Sequence, residues 1–272
     1  VGFPRTGSRS QTGSRRVFFS DAHLALESRE SDRSVKLRRF LATLPDKDVS
    51  DLYILGDLFD FWFEYRTAIF SAYFPVLRTL ARLSESGMRL HYIVGNHDYW
   101  AGTFLHDAIG FTIHKEAVAL DIDGTPFYLC HGDGLNRRDY GYRAFRRIAQ
   151  WKPAIALFRT IHPDLALRLG KMVSGLSRQL VNAETPGRLR EAEAVRQYAL
   201  RTLRDCNVDI FIAGHCHIPA DERIEVNGCT KRYVNVGDWL THFTYAELSE
   251  GHLALKRFTD QDEITEPNST LG

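Results

Sequence analysis

The chain has 272 residues, 44% hydrophobic and 25% charged, and its 35 Lys+Arg nearly cancel its 34 Asp+Glu, leaving a formal net charge of +1. Such an apolar content excludes a disordered polyelectrolyte, and so small an excess of base argues against a uniformly basic nucleic-acid binder. No apolar run approaches the roughly 20 residues that a membrane-spanning helix needs. The length suits one large domain or two small ones, with a full core.

Residues 1–15 mix Gly, Ser, Thr and Arg and are expected to form a flexible tail, without the apolar core of a secretion signal. Val17 to Ser20 is a short apolar run ending at Asp21 and reads as a buried strand. Asp32 to Leu44 has helical spacing at Val35, Leu37, Phe40, Leu41 and Leu44. Leu52 to Leu55 predicts a second strand, Thr67 to Ser86 a helix despite Pro75, and Leu90 to Val94 a third strand. This alternation implies a parallel sheet covered by helices, with ligands at the carboxyl ends of its strands. Val118 to Ile122 and Phe127 to Cys130 flank the hairpin signal Asp123-Gly124. Tyr140 to Asp205 reads as mostly helical, and Asp209 to Ala213 as a strand running into Gly214-His215. Strands near Arg223–Val226, Lys231–Val236, Phe243–Leu248 and Leu253–Phe258 complete the pattern, with Asn227-Gly228 as a second hairpin turn. The expected class is α/β, two packed sheets flanked by helices. Residues 259–272 are expected to form a second tail. The four cysteines, Cys130, Cys206, Cys216 and Cys229, make no C-x-x-C pair, which disfavours a thiolate zinc finger and fits a reducing, cytoplasmic setting.

Five motifs stand at expected strand ends: Asp21-Ala22-His23, Gly56-Asp57-Leu58-Phe59-Asp60, Gly95-Asn96-His97-Asp98, His131-Gly132-Asp133 and Gly214-His215-Cys216-His217. Residues two apart just past a strand can point the same way, as Asp21 and His23 would and His215 and His217 again. Carboxylates, imidazoles and one amide oxygen form a mixed N/O donor set, which suits Mn, Fe or Zn better than Ca or Mg. Seven candidate ligands exceed one tetrahedral site but suit two metals about 3.5–4 Å apart that share a carboxylate. Singly, each motif is weak: Asp-x-His is common, and Gly-Asn is often a turn. Five of the eleven histidines fall in these motifs, each after an apolar strand, and independent chance accounts poorly for that ordered set.

The ordered set resembles that of the calcineurin-like metallophosphoesterases, over residues 16–258. The resemblance implies a four-layer α/β/β/α sandwich. It implies a first metal held by Asp21, His23, Asp57 and His217, and a second held by Asp57, Asn96, His131 and His215, with Asp57 bridging. The two divalent metals are expected to be Mn, with Fe or Zn as alternatives. A metal-activated water would be the nucleophile. His97 would stabilise the transition state or protonate the leaving oxygen, with Asp98 orienting its ring, and Asp60 and Asp133 would lie behind the ligands. The wording of Phe19 to Leu24, of Leu52 to Trp62, and of His131-Gly132-Asp133-Gly134 followed by Asp139 to Arg146 is similar to the UDP-2,3-diacylglucosamine pyrophosphatases of lipid A synthesis. The better-known branch of that family has Arg where this chain has His97, so the resemblance is to a divergent branch. It implies hydrolysis of a diphosphate to UMP and 2,3-diacylglucosamine 1-phosphate; another phosphodiester, a nucleotide or a phosphoprotein is the alternative substrate.

The net charge conceals an asymmetry. Residues 135–205 carry 15 Lys+Arg against 6 Asp+Glu. Apolar residues from Ile155 to Leu176 are interleaved with Arg143, Arg146, Arg147, Lys152, Arg159, Arg168, Lys171 and Arg178. Part of this face is expected to be core, since most apolar helix faces are. The remainder suits a helical lid over a glycolipid nucleotide, in peripheral contact with the anionic inner face of the cytoplasmic membrane. Arg143, Arg147, Ser174, Arg178 and Asn182 are the candidate diphosphate or sugar contacts, and no nucleic-acid partner is expected.

Overall fold

Val17, Phe18 and Phe19 are all fully buried, as a strand covered on both faces requires. The computed structural model describes residues 6–7, 14–26, 31–136, 140–169 and 186–259. In one sheet, β2 (Arg15–Phe19), β3 (Val49–Ile54), β4 (Arg89–Ile93) and β5 (Phe111–His114) run parallel. β11 (Thr244–Ser249) pairs antiparallel with β2, and β12 (His252–Arg257) lies outside it. The second sheet has the order β1 (Thr6–Gly7), β6 (Val118–Ile122), β7 (Thr125–Leu129), β8 (Ile210–Ala213), β10 (Cys229–Asn235), β9 (Ala220–Val226). Here β7, β8 and β10 run parallel.

Three apolar layers hold the sheets. Between them lie Phe18, Tyr53, Leu55, Ile93, Phe127, Leu129, Ile212 and Val234. Outside the first sheet pack α1 (Asp32–Thr43) and α2 (Phe74–Glu85). In α1 the buried Ser34, Leu37, Phe40 and Leu41 recur with helical period, Ser31 Oγ accepts the Ser34 N–H at 3.3 Å, and Asp32 lies in the first turn. The Phe40 and Trp239 rings meet at 4.5 Å, and burying each ring contributes roughly 1.5–3 kcal/mol. The result is the expected α/β/β/α sandwich.

Several boundaries differ from expectation. The helix expected from Thr67 begins only at Phe74, after a 3₁₀ turn at Ser71–Tyr73. Pro75 therefore sits in the first turn, where its missing amide costs nothing. β5 follows a short helix, α3 (Phe104–Asp107), and its Phe-Thr-Ile-His sequence mixes polar with apolar residues, so it gives no clear run to read, unlike the equally short but wholly apolar Ile210–Ala213. Within residues 1–15, Thr6–Gly7 pair with β6 and Arg15 opens β2, so these parts are strand rather than tail. The helical segment divides. α4 (Tyr140–Ala149), α5 (Lys152–Phe158) and a helical stretch at 163–169 lie over the loops, whereas α6 (Pro186–Asp205) is the fourth layer. Val195, Ala199 and Leu203 of α6, four residues apart and fully buried, pack on Phe211 and Tyr233. Asp123-Gly124 and Asn227-Gly228 both have positive φ at each residue, as tight hairpin turns require. No helix among the described residues is long and apolar enough to cross a membrane.

Candidate metal centre

The carboxyl ends of β2, β3 and β4 and those of β7, β8 and β10 come to one rim, and the loops leaving them carry all seven candidate ligands. The first two loops continue the pairing of their strands: Asp21 N–H donates to Gly56 O and His23 N–H to Asp57 O. On one side, His23 Nε2 lies 3.3 Å from His217 Nε2, 3.6 Å from Asp21 Oδ1 and 3.7 Å from Asp57 Oδ2. On the other, His131 Nε2 lies 3.4 Å from Asp57 Oδ2, 3.0 Å from Asn96 Oδ1 and 3.2 Å from His215 Nδ1. Asp57 is common to the two sets.

This arrangement fits divalent cations. The sets Asp21–His23–His217, His23–Asp57–His97 and Asp21–Asp57–His131 each bring their donor atoms within 4.8 Å of one another. Asp21 Oδ1 is buried and accepts no hydrogen bond among the described residues, a cost in free energy that a cation would relieve. Burial opposes ionisation of Asp21, but the charge on His217 and the contact with His23 outweigh it and hold its pKa at about 2. Burial likewise opposes Asp57, which His131 and His97 draw well below the usual carboxylate range. His23 is disfavoured as a cation by burial, yet its contacts with Asp21 and Asp60 raise it to about 10. His215 is pushed down to about 4 by burial and by the neighbouring His131. The rim demands positive charge, and its imidazoles compete to supply it.

Four of the five rings are aimed by their other nitrogen. His131 Nδ1 lies 2.7 Å from Leu55 O, and His97 Nδ1 lies 2.7 Å from Asp60 O. His217 Nδ1 meets Asp238 Oδ2 at 3.3 Å, and His23 Nδ1 meets Asp60 Oδ1 at 3.6 Å. Two expectations are corrected here. Asp98 does not orient His97: it accepts from the Tyr92 hydroxyl and from Gly95 N–H, and the Asp60 carbonyl holds the His97 ring. The reason is backbone direction, since the turn that brings His97 N–H to Asp57 Oδ1 points Asp98 down into the core, where it is fully buried and its pKa rises to about 7, chiefly through burial. The common direction of Asp21 and His23 does not come from the strand pleat either. Asp21, His23, Asp57, His215 and His217 all have φ between 42° and 69°, a left-handed conformation uncommon for residues with a Cβ. His215 and His217 consequently part, one toward His131 and the other toward His23.

Asp238 is the residue that sequence reading missed. Buried after β10, it faces His217 and accepts the N–H groups of Leu240, Thr241 and His242. The signal was present, because Val236-Gly237-Asp238 repeats the apolar-Gly-Asp ending of Leu55-Gly56-Asp57. Among the expected substrate contacts, Arg143 and Arg147 line a cavity of about 300 Å3 with Gly134, Arg146 and Gln150. Ser174, Arg178 and Asn182 lie outside the described residues.

A four-layer sandwich whose rim gathers buried carboxylates and imidazoles around a shared aspartate has the make-up of a metal-dependent hydrolase. The family model of the calcineurin-like phosphoesterases matches residues 14–219, and the chain belongs to that family. A UDP-2,3-diacylglucosamine hydrolase of Porphyromonas gingivalis is 29% identical over 265 residues, 90% of this chain and 98% of the relative. One of Aeromonas hydrophila is 31% identical over 224 residues, 82% and 90% of the two chains. Among solved structures, Plasmodium GAP50, the anchor in the inner membrane complex, is similar in fold, with a TM-score of 0.50 at 13% identity over 93% of this chain and 87% of its own.

Proposed function

We propose that the protein hydrolyses the diphosphate of UDP-2,3-diacylglucosamine. Water adds to the α-phosphorus, the bond from that phosphorus to the bridging oxygen breaks, and UMP and 2,3-diacylglucosamine 1-phosphate leave. The observation that carries this reading is the juxtaposition of the donor-lined rim with a basic helical segment whose outer face is apolar. Ile148, Trp151, Leu157, Leu165 and Leu169 are exposed on that segment. Arg143 and Arg147 are exposed on α4 and line the cavity beside Gly134, a cationic mouth for a diphosphate. The names of the relatives at about 30% identity support the same substrate.

Asp21, His23, Asp57 and His217 would hold one divalent ion, and Asp57, Asn96, His131 and His215 the other, Mn with Fe or Zn as alternatives. Bound there, the ions would polarise the phosphoryl oxygens and acidify water. His97 exchanges its proton through Nε2, because Nδ1 is committed to Asp60 O. Burial lowers the His97 pKa against the pull of Asp57, so a proton on Nε2 is weakly held and readily given to the departing oxygen. The lid is read from 140–169, which carry α4, α5 and the helical stretch that follows them. Its exposed Trp and Leu beside arginines suit peripheral contact with an anionic bilayer on the cytoplasmic side.

Mn-loaded protein given UDP-2,3-diacylglucosamine in detergent is expected to release UMP, with the oxygen of labelled water recovered in the UMP. No UMP across Mn, Fe and Zn, while bis(p-nitrophenyl) phosphate is turned over, would refute the substrate and leave the phosphoesterase. Asp238→Ala is expected to weaken metal binding at the Asp21–His23–His217 set about 10–100-fold, because His217 loses the group that fixes its ring. Calorimetric Mn titration of chelator-treated protein reads this directly, and an unaltered affinity would deny Asp238 that role.

A further inference from the structure

We infer that Asp133, Tyr99, Tyr142 and Arg146 form a polar latch that fixes α4 against the catalytic loops and thereby positions Arg143 and Arg147 for substrate. This rests on the reading of the helical segment as a lid. Tyr142 and Arg146 are four residues apart on α4, so they share a face, and both reach Asp133, two residues beyond His131. The Tyr142 hydroxyl donates to Asp133 Oδ2 at 2.7 Å, and Arg146 Nη1 lies 3.2 Å from the same oxygen. The Tyr99 hydroxyl, from the loop that carries Asn96 and His97, donates to that oxygen at 3.0 Å and touches the Tyr142 hydroxyl. The Arg146 guanidinium lies 5.7 Å from the centre of the Tyr99 ring.

Three donors on one oxygen of a carboxylate that is only 8% exposed make a charge-assisted knot joining three pieces of chain. The next residue along, Trp100, extends the seat. Its Nε1–H donates to Ala149 O at the end of α4 at 2.9 Å, and its ring stacks on Phe158 of α5 at 5.9 Å and 4°. Both dipeptide residues that follow His97-Asp98 therefore bear on the helical segment. Arg143 and Arg147 sit one residue along from the latch pair, on the neighbouring face of α4, where they line the cavity beside Gly134. A rotation of α4 that freed Tyr142 and Arg146 would carry both arginines away with it. These are positioning residues, acting on substrate through the helix.

Tyr142→Phe removes one hydroxyl and keeps the ring, so the fold is retained. Hydrogen exchange of the amides of 141–149 is expected to accelerate about tenfold, with β3 and β4 unaffected. The KM for UDP-2,3-diacylglucosamine is expected to rise about tenfold with kcat within about twofold, the pattern of lost ground-state positioning. Unaltered exchange over α4 would overturn the latch. Faster exchange with KM unchanged would overturn its part in positioning substrate. Absence of turnover by the unsubstituted protein would strike the proposed substrate instead, and the exchange measurement would then decide the latch by itself.

Discussion

Replacing Asp57 by Ala is expected to lower hydrolysis at least about 1000-fold, equivalent to roughly 4 kcal/mol of transition-state stabilisation, and to reduce bound metal below that of any other single candidate-ligand variant. The expectation follows from position. Asp57 Oδ2 lies 3.4 Å from His131 Nε2 and 3.7 Å from His23 Nε2, one in each donor set, while Oδ1 holds the His97 N–H at 2.9 Å. In the two four-residue sets proposed above, every other candidate serves one ion, so losing it would spare the other set. Asp57 is 1% exposed, and its loss also leaves the buried imidazoles around it without their shared counter-charge. Metal content and rate are to be measured together with a thermal melt, and Asp57→Asn keeps the shape if the alanine variant unfolds. A folded variant that retains turnover would exclude a shared-carboxylate mechanism.

The second large effect is expected from a residue without a side chain. Gly56 has φ +84°, and a Cβ there would stand 2.7 Å from His131 Nδ1 and 2.8 Å from both the N and Cα of Gly95. Two of those atoms are backbone of the adjacent loop, which cannot swing aside, and the third is the nitrogen that ties His131 to Leu55 O. Gly56→Ala therefore adds overpacking of about 1–3 kcal/mol to left-handed strain of about 1–2 kcal/mol. For a chain of this size the melting temperature is expected to fall by roughly 10 °C, with loss of metal binding. Gly228→Ala is the control: its φ is +78°, but nothing lies within 4 Å of the added atom. It is expected to lose only a few degrees and no activity. Equal shifts for the two variants would show that backbone strain alone, and not the close packing of the ligand loops, sets the glycine requirement.

The candidate metal donors were legible because most are announced locally, by an apolar strand and the polar residue that ends it. Asp21, Asp57, Asn96, His131 and His215 each follow such a run. The layer order was legible for the same reason, through alternation of strand and helix periods. Less regular elements were not: Phe111–His114 mixes polar with apolar residues over only four positions, and Pro75 inside an apparent helix admits more than one starting point. The division of residues 135–205 was equally hidden. An apolar face reads alike whether it packs on a sheet, as Val195, Ala199 and Leu203 do, or meets solvent, as Leu157 and Leu165 do.

The sequence by itself determined which chemical groups stand at the rim and in what order along the chain, since side-chain chemistry and strand periodicity are local properties. Tertiary structure alone decided which of them meet. His217 faces His23 while His215 faces His131, Asp238 comes beneath His217 from a strand 21 residues on, and Asp98 turns into the core instead of toward His97. These pairings depend on left-handed backbone at five of the candidate ligands, a conformation that local preference resists and that only dense packing of the surrounding loops holds in place.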